Sequence, residues 1–159
     1  MLLFPHMRCT YMLPATLPIF QAEHPNMKVN VFEGSSDEND KLLLEGKAEI
    51  AFYSKPEVLN PLIDYETLNK EELLICLYKG HPLRRYAKPN PASHYFKLDP
   101  KLLQNELLLL LTHEQRTRQL IDHYCNSIGL KFNNIMTTSS LSAIMELVSI
   151  GYGASFIFE

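Results

Sequence analysis

Apolar residues along this chain switch between a helical and an alternating period, and the switches mark its elements. Leu13, Leu17 and Phe20 recur at helical spacing, Met12 and Ile19 widen that face, and Pro25 ends it. Met27, Val29 and Val31 alternate with Lys28 and Asn30, which is the pattern of a strand. Ser36, followed by Asp37, Glu38 and Asn39, predicts a helix start, with Ser36 as the hydroxyl cap and the acids facing the positive end of the dipole. Leu42, Leu43 and Leu44 are expected to form the buried face of that helix, and Gly46 to end it. Ile50-Ala51-Phe52-Tyr53 reads as a short strand of the parallel, fully buried type.

Beyond Pro61 the pattern loosens. Ile63–Leu68 and Leu73–Tyr78 read as extended, and Pro82, Pro89, Pro91 and Pro100 punctuate a surface connection. Strand–helix alternation then resumes. Leu107–Leu111 predicts a strand, and Gln115–Ile128 a helix with Leu120, Ile121, Tyr124 and Ile128 inward and Gly129 as its stop. Asn134–Thr137 is a further strand. Ser140–Ile150 is a helix burying Leu141, Ile144, Met145 and Val148 and closed by Gly151, and Ala154–Phe158 is the last strand. The alternation predicts an α/β fold in two similar lobes, residues 1–78 and 79–159.

At 159 residues with 46% hydrophobic content, the chain can bury a real core. Its net charge of -3 argues against gripping a phosphate backbone. Lys79, Arg84, Arg85 and Lys88 form one loose cluster, broken by Pro82 and followed by Pro89, which reads as a solvated loop. Cys9, Cys76 and Cys125 are odd in number and far apart, so neither a disulfide framework nor a zinc pattern follows, and a reduced cytoplasmic setting fits. The opening MLLFPHMRC does not read as a signal peptide, and the leucine run Leu107–Leu111 is too short to span a bilayer. No metalloprotease, nucleophile-elbow, dinucleotide or phosphate-loop motif occurs. His113 and Glu114 are adjacent loop residues and a poor acid–base pair, and His81 before Pro82 reads as a turn residue. Cys9 reads as a small, half-buried residue rather than a reactive thiol. The expectation is a non-enzyme with no metal and no cofactor.

Chemistry of another kind is more evident. Polar clusters precede four helices: Met7–Thr10, Ser35–Ser36, Thr112–Arg116 and Thr137–Ser140. In parallel α/β lobes such helix starts gather at the carboxyl edge of the sheet, where hydroxyls and free N–H groups suit a small anion, typically a carboxylate. Arg8 or Arg116 would anchor its charge. Each hydroxyl taken alone is more simply a cap. Their recurrence is what points to a ligand.

Several local signatures occur together in an ordered series. Paired prolines flank an amphipathic helix, a His-Pro follows, a strand ends in Glu33-Gly34-Ser35, and Leu43-x-x-Gly46 precedes an Ala51-Phe52 strand. Further on come Glu71-Glu72-Leu73-Leu74, His81-Pro82-Leu83, Thr138-Ser139-Ser140-Leu141 and Gly151-Tyr152-Gly153-Ala154-Ser155. In order and spacing, over nearly the whole chain, this resembles the effector-binding domain of LysR-type transcriptional regulators.

The resemblance implies two Rossmann-like lobes of the type 2 periplasmic-binding-protein kind, with an effector in the cleft between them. By position, its contacts would be Met7, Arg8, Cys9 and Thr10 in one loop and Ser35 and Ser36 in the next. Thr112, Gln115 and Arg116 would follow in the second lobe, with Thr138 and Ser139. It implies ligand-controlled transcription, homo-oligomers, and DNA contact only through a helix-turn-helix domain that this chain lacks. The segments that complete the first lobe in the family are also missing, so the chain is expected to be a fragment truncated at its carboxyl end. The competing expectation is a solute-binding protein of a transporter, which would share the lobes.

Overall fold

A computed structural model describes residues 1–5, 8–56 and 58–159. The chain divides into two compact units, Met1–Leu68 and Asn69–Glu159. The expected division after residue 78 lies further along. Strand Leu73–Cys76 falls in the second unit, where its pairing partner lies.

In the first unit, β1 (Leu2–Pro5) is the centre of a three-stranded parallel sheet, flanked by β2 (Val31–Gly34) and β3 (Ile50–Ala51) in the order β2-β1-β3. Leu2 pairs with both Val31 and Ile50. Leu3 and Phe4 are buried, and Phe4 stacks on Phe52 with ring centroids 4.8 Å apart. α1 (Arg8–Glu23) crosses from β1 to β2 with Leu13, Leu17 and Phe20 half-buried, as its spacing predicts. Beyond its end at Glu23 the chain is held by Gln21, whose amide donates to the carbonyls of His24, Pro25 and Met27.

Strand β2 begins at Val31, later than the alternation from Met27 to Val31 predicts. Its position is set by pairing with β1 rather than by its own pattern. α2 (Ser36–Leu44) crosses from β2 to β3, and its cap is Ser35 rather than Ser36. Ser35 Oγ accepts the Glu38 N–H at 3.2 Å, and the Glu38 carboxylate accepts the Ser35 N–H at 2.8 Å, a reciprocal capping box. Gly46, at φ +67°, ends the helix as expected. The buried face is not the expected one. Leu44 is 47% exposed and Leu42 and Leu43 are half-buried, while Asn39, at 0% exposure, is the one fully buried side chain of α2. Next to it in sequence, Asp40 hydrogen-bonds Tyr53, whose phenol is raised well above its ordinary pKa by burial first, then by Asp40 and Tyr65.

The second unit repeats the topology around β5 (Leu107–Leu111). β6 (Asn134–Thr138) pairs parallel with one edge of β5. Ala154 bridges the other edge in parallel, its N–H donating to the Leu107 carbonyl at 2.9 Å and its carbonyl accepting the Leu109 N–H at 2.8 Å. Ala154 leads directly into β7 (Ser155–Phe158), which pairs antiparallel with β4 (Leu73–Cys76). Two crossover helices, α3 (Arg116–Ser127) and α4 (Leu141–Ser149), complete the unit.

The five leucines of β5 explain how both helices pack. Alternate side chains point to opposite faces. Leu108 and Leu110 lie in one cluster with Ile121 and Cys125 of α3, and Leu109 and Leu111 in another with Ile144 and Val148 of α4. In α3 the inward residues are Arg118, Ile121 and Cys125. Tyr124, expected inside, is 38% exposed.

Candidate functional site

The strand orders place the predicted clusters at carboxyl ends of parallel strands. When a chain leaves a central strand and returns first on one side and then on the other, its successive helices start beside one another there. In the first unit, Arg8 opens α1, Ser35 follows β2, and Ser54 follows β3. Arg8 donates to Ser54 Oγ at 2.8 Å and to the Tyr11 hydroxyl at 3.3 Å, so its guanidinium links the first helix to the end of the third strand. Cys9 lies near the Glu33 carboxylate. Burial, then that charge, raises its thiol pKa, which is the opposite of an activated thiol. Thr10 is exposed on α1, Ser36 is the first residue of α2, and Met7 lies outside the described residues.

In the second unit, register joins two of the clusters. Leu111 pairs with Thr138, so Thr112 and Ser139 leave adjacent strands side by side. Gln115, the residue before α3, uses its side chain not as a cap but to reach across, and its Nε2 donates to the Ser139 carbonyl at 2.9 Å. Thr138 Oγ1 accepts the Ser140 N–H at 3.3 Å, and Ser140 caps α4 by accepting the Ala143 N–H at 3.2 Å. Arg116 is the first residue of α3 and half-buried. The starts of α3 and α4 are thus tied together, and Thr112, Gln115, Thr138 and Ser139 are brought into one place. An acid is already present. Glu114 accepts from its own backbone N–H and from Thr112, and these bonds hold its carboxyl below the usual range.

Sequence reasoning missed a cluster directly behind this loop. Arg118 is only 3% exposed. It donates to the Leu111 carbonyl at 2.7 Å and from Nε to Asp122 Oδ1 at 2.8 Å, and a further nitrogen lies 3.3 Å from His113 Nε2. His113 Nδ1 lies 3.3 Å from Asp122 Oδ2. Gln119 Nε2 donates to the His113 carbonyl at 3.3 Å. The readable signal was Arg118 and Asp122 at i,i+4, on the same helix stripe as Ile121 and Cys125.

Among the described residues, no group of three or more His, Cys, Asp and Glu side chains is placed to hold a metal, and no helix is long and apolar enough to cross a membrane. Burial pushes the Cys76 and Cys125 thiols up to about 11.

Two units of this parallel order, with polar helix starts at their carboxyl edges, define an α/β binding domain of the type 2 periplasmic-binding-protein kind. A family model, the LysR substrate binding domain, matches residues 2–159. The chain belongs to that family. It is 29% identical over 153 residues to the "Probable RuBisCO transcriptional regulator" of Trieres chinensis, covering 93% of this chain and 47% of that protein. It thus spans about half the length of the curated relatives it matches. Two solved structures share its fold at a TM-score of 0.77 each. The effector binding domain of QuiR in complex with shikimate is 21% identical, covering 99% of this chain and 72% of that one. The BenM effector binding domain with its effector benzoate is 18% identical, covering 99% and 68%. The relative is named as a regulator, and the transporter reading gains nothing from these matches.

Proposed function

We propose that this chain is the ligand-sensing domain of a LysR-type transcriptional regulator and that its effector is a small organic anion. The observation that carries the reading is the joined start of α3 and α4, where Gln115 holds Ser139 and Thr112 and Thr138 lie beside them. Such a place offers hydroxyls, an amide and helix-start N–H groups to a carboxylate, with Arg116 as the cation. Taken by itself, the first unit presents Arg8, Cys9, Thr10, Ser35 and Ser36 at the carboxyl edge of its own sheet. Benzoate, the effector named with one solved relative, and shikimate, bound in the other, are both small carboxylates, the ligand chemistry proposed here. In the whole protein, binding acts through homo-oligomers on helix-turn-helix domains that touch DNA, in the cytoplasm. The free energy available for switching is the differential affinity of effector for two arrangements, typically ~1–3 kcal/mol.

The test is calorimetric titration with a panel of aromatic and alicyclic carboxylates, including benzoate and shikimate, against the wild type, Thr138→Ala and Ser35→Ala. Each lost hydrogen bond to a charged ligand should cost roughly 1.5–3 kcal/mol of binding. Ser35→Ala also removes a helix cap worth about 1 kcal/mol of folding, so its affinity is read well below its melting temperature. A panel without a binder, or affinities unchanged in both variants, would remove these turns from the site.

A further inference from the structure

Arg118 is the only arginine or lysine side chain that is buried among the described residues, and it joins the end of β5 at Leu111, Asp122 of α3 and His113 of the Thr112–Arg116 loop. A guanidinium can only donate. The 3.3 Å approach of Arg118 to His113 Nε2 therefore requires that nitrogen to be the acceptor, bare of hydrogen. The proton of the neutral ring then sits on Nδ1, which faces the Asp122 carboxylate at 3.3 Å. Asp122 also accepts from Arg118 Nε. Arg118, Asp122 and His113 thus form a closed ring of donors and acceptors whose directions permit one histidine tautomer. The same Arg118 grips the Leu111 carbonyl at the end of β5, and Gln119 grips the His113 carbonyl. The backbone from Leu111 to His113 is held at both ends by α3.

We infer that Arg118 and Asp122 are positioning residues: by fixing His113 as its Nδ1–H tautomer, they pre-set the Thr112–Arg116 loop for effector. This rests on the proposed function for its meaning, because that loop carries Thr112, Gln115 and Arg116. Neither residue touches the ligand. Their role is to keep the loop in one conformation before binding, so that affinity is not lost to ordering it. His113 itself is mostly exposed, which suits a strap laid over a buried cation rather than a core residue.

The test needs no effector, so its failure is separable from failure of the effector reading. The chain is labelled with 15N, and the ring nitrogens of His113 are assigned by comparison with His113→Gln. In the neutral ring, wild type should show Nδ1 protonated and Nε2 bare. Arg118→Met keeps an unbranched apolar stem in the buried site and removes every donor. Asp122→Asn alters a partly exposed residue and keeps the fold if Arg118→Met does not. In Arg118→Met the Nδ1–H form should fall from the dominant species to a minority, and in Asp122→Asn, where Arg118 remains, it should fall by less. The backbone amides of residues 112–116 should lose order in 15N relaxation while those of Asn134–Thr138 keep it. An unchanged tautomer and an unchanged loop in both variants would overturn the inference. So would equal loosening throughout the second unit, which would make Arg118 a general structural residue.

Discussion

Leu109 offers the most direct test of how the second unit is built. It is 1% exposed, and it lies in the α4 cluster while its neighbours Leu108 and Leu110 lie in the α3 cluster. Leu109→Ala removes three carbons. At ~0.8 kcal/mol per buried methylene, the transfer loss alone is about 2.4 kcal/mol. β5 is enclosed on both faces and paired on both edges, so the gap cannot collapse freely, and a cavity contribution brings the expected cost to about 3–4 kcal/mol. The two-faced packing is then separated by partners. Ile144→Val and Ile121→Val should each cost about 1 kcal/mol alone. Combined with Leu109→Ala, the Ile144 change should deviate from additivity by roughly 0.5 kcal/mol or more, and the Ile121 change by less than about 0.5 kcal/mol. Urea unfolding followed by far-UV circular dichroism suits a chain with no tryptophan. Equal coupling to both helices would refute the assignment of Leu109 to the α4 face. A Leu109→Ala cost below about 1 kcal/mol would refute the enclosure of β5.

Three further outcomes follow from single contacts. A Cβ on Gly153 would meet the Leu107 carbonyl oxygen at 2.7 Å and Leu109 Cγ at 3.0 Å, so Gly153→Ala should cost about 1–3 kcal/mol and lower the melting temperature; an unchanged melt would contradict the close approach. With thiol pKa values of about 11, Cys76 and Cys125 are ionised to on the order of one part in a thousand at pH 8, so iodoacetamide should leave both unmodified under native conditions, and rapid labelling of either would refute their burial. Glu114→Gln removes the carboxylate that already accepts from Thr112 and should tighten binding of a carboxylate effector in calorimetry against whichever panel member the wild type binds. Weaker binding would show that Glu114 helps to hold the ligand.

The sequence made the second unit more legible than the first. β5 and α4 match their expected spans to within a residue or two, because a five-leucine run bounded by polar residues and a clean helical stripe each have few other readings. β2 begins later than its pattern predicts because the Met27–Val31 alternation is a weak local signal, whereas register with β1 is fixed by residues nearly thirty positions away. The cap of α2 was placed one residue late, although Ser35-x-x-Glu38 spells the capping box. Asn39 and Arg118 could not be ranked as buried from residue type, since polar side chains go inside only where tertiary partners or space receive them. The clusters of the candidate site were visible as helix starts. What tied Gln115 to Ser139 was strand adjacency, which no local pattern encodes.

The central place of β5 has a cost during biosynthesis. Its five leucines leave the ribosome well before Asn134–Thr138 and Ala154, which come to pair with its two edges. Until those are made, an uncharged, wholly aliphatic segment of high β tendency has nothing native to pair with, which is the composition that recruits other nascent chains. β4 waits longer still, since its partner β7 lies some eighty residues downstream. The second unit therefore assembles late and almost at once, and expression yield should depend on chaperone supply and on slow synthesis at low temperature more than on the final stability of the fold.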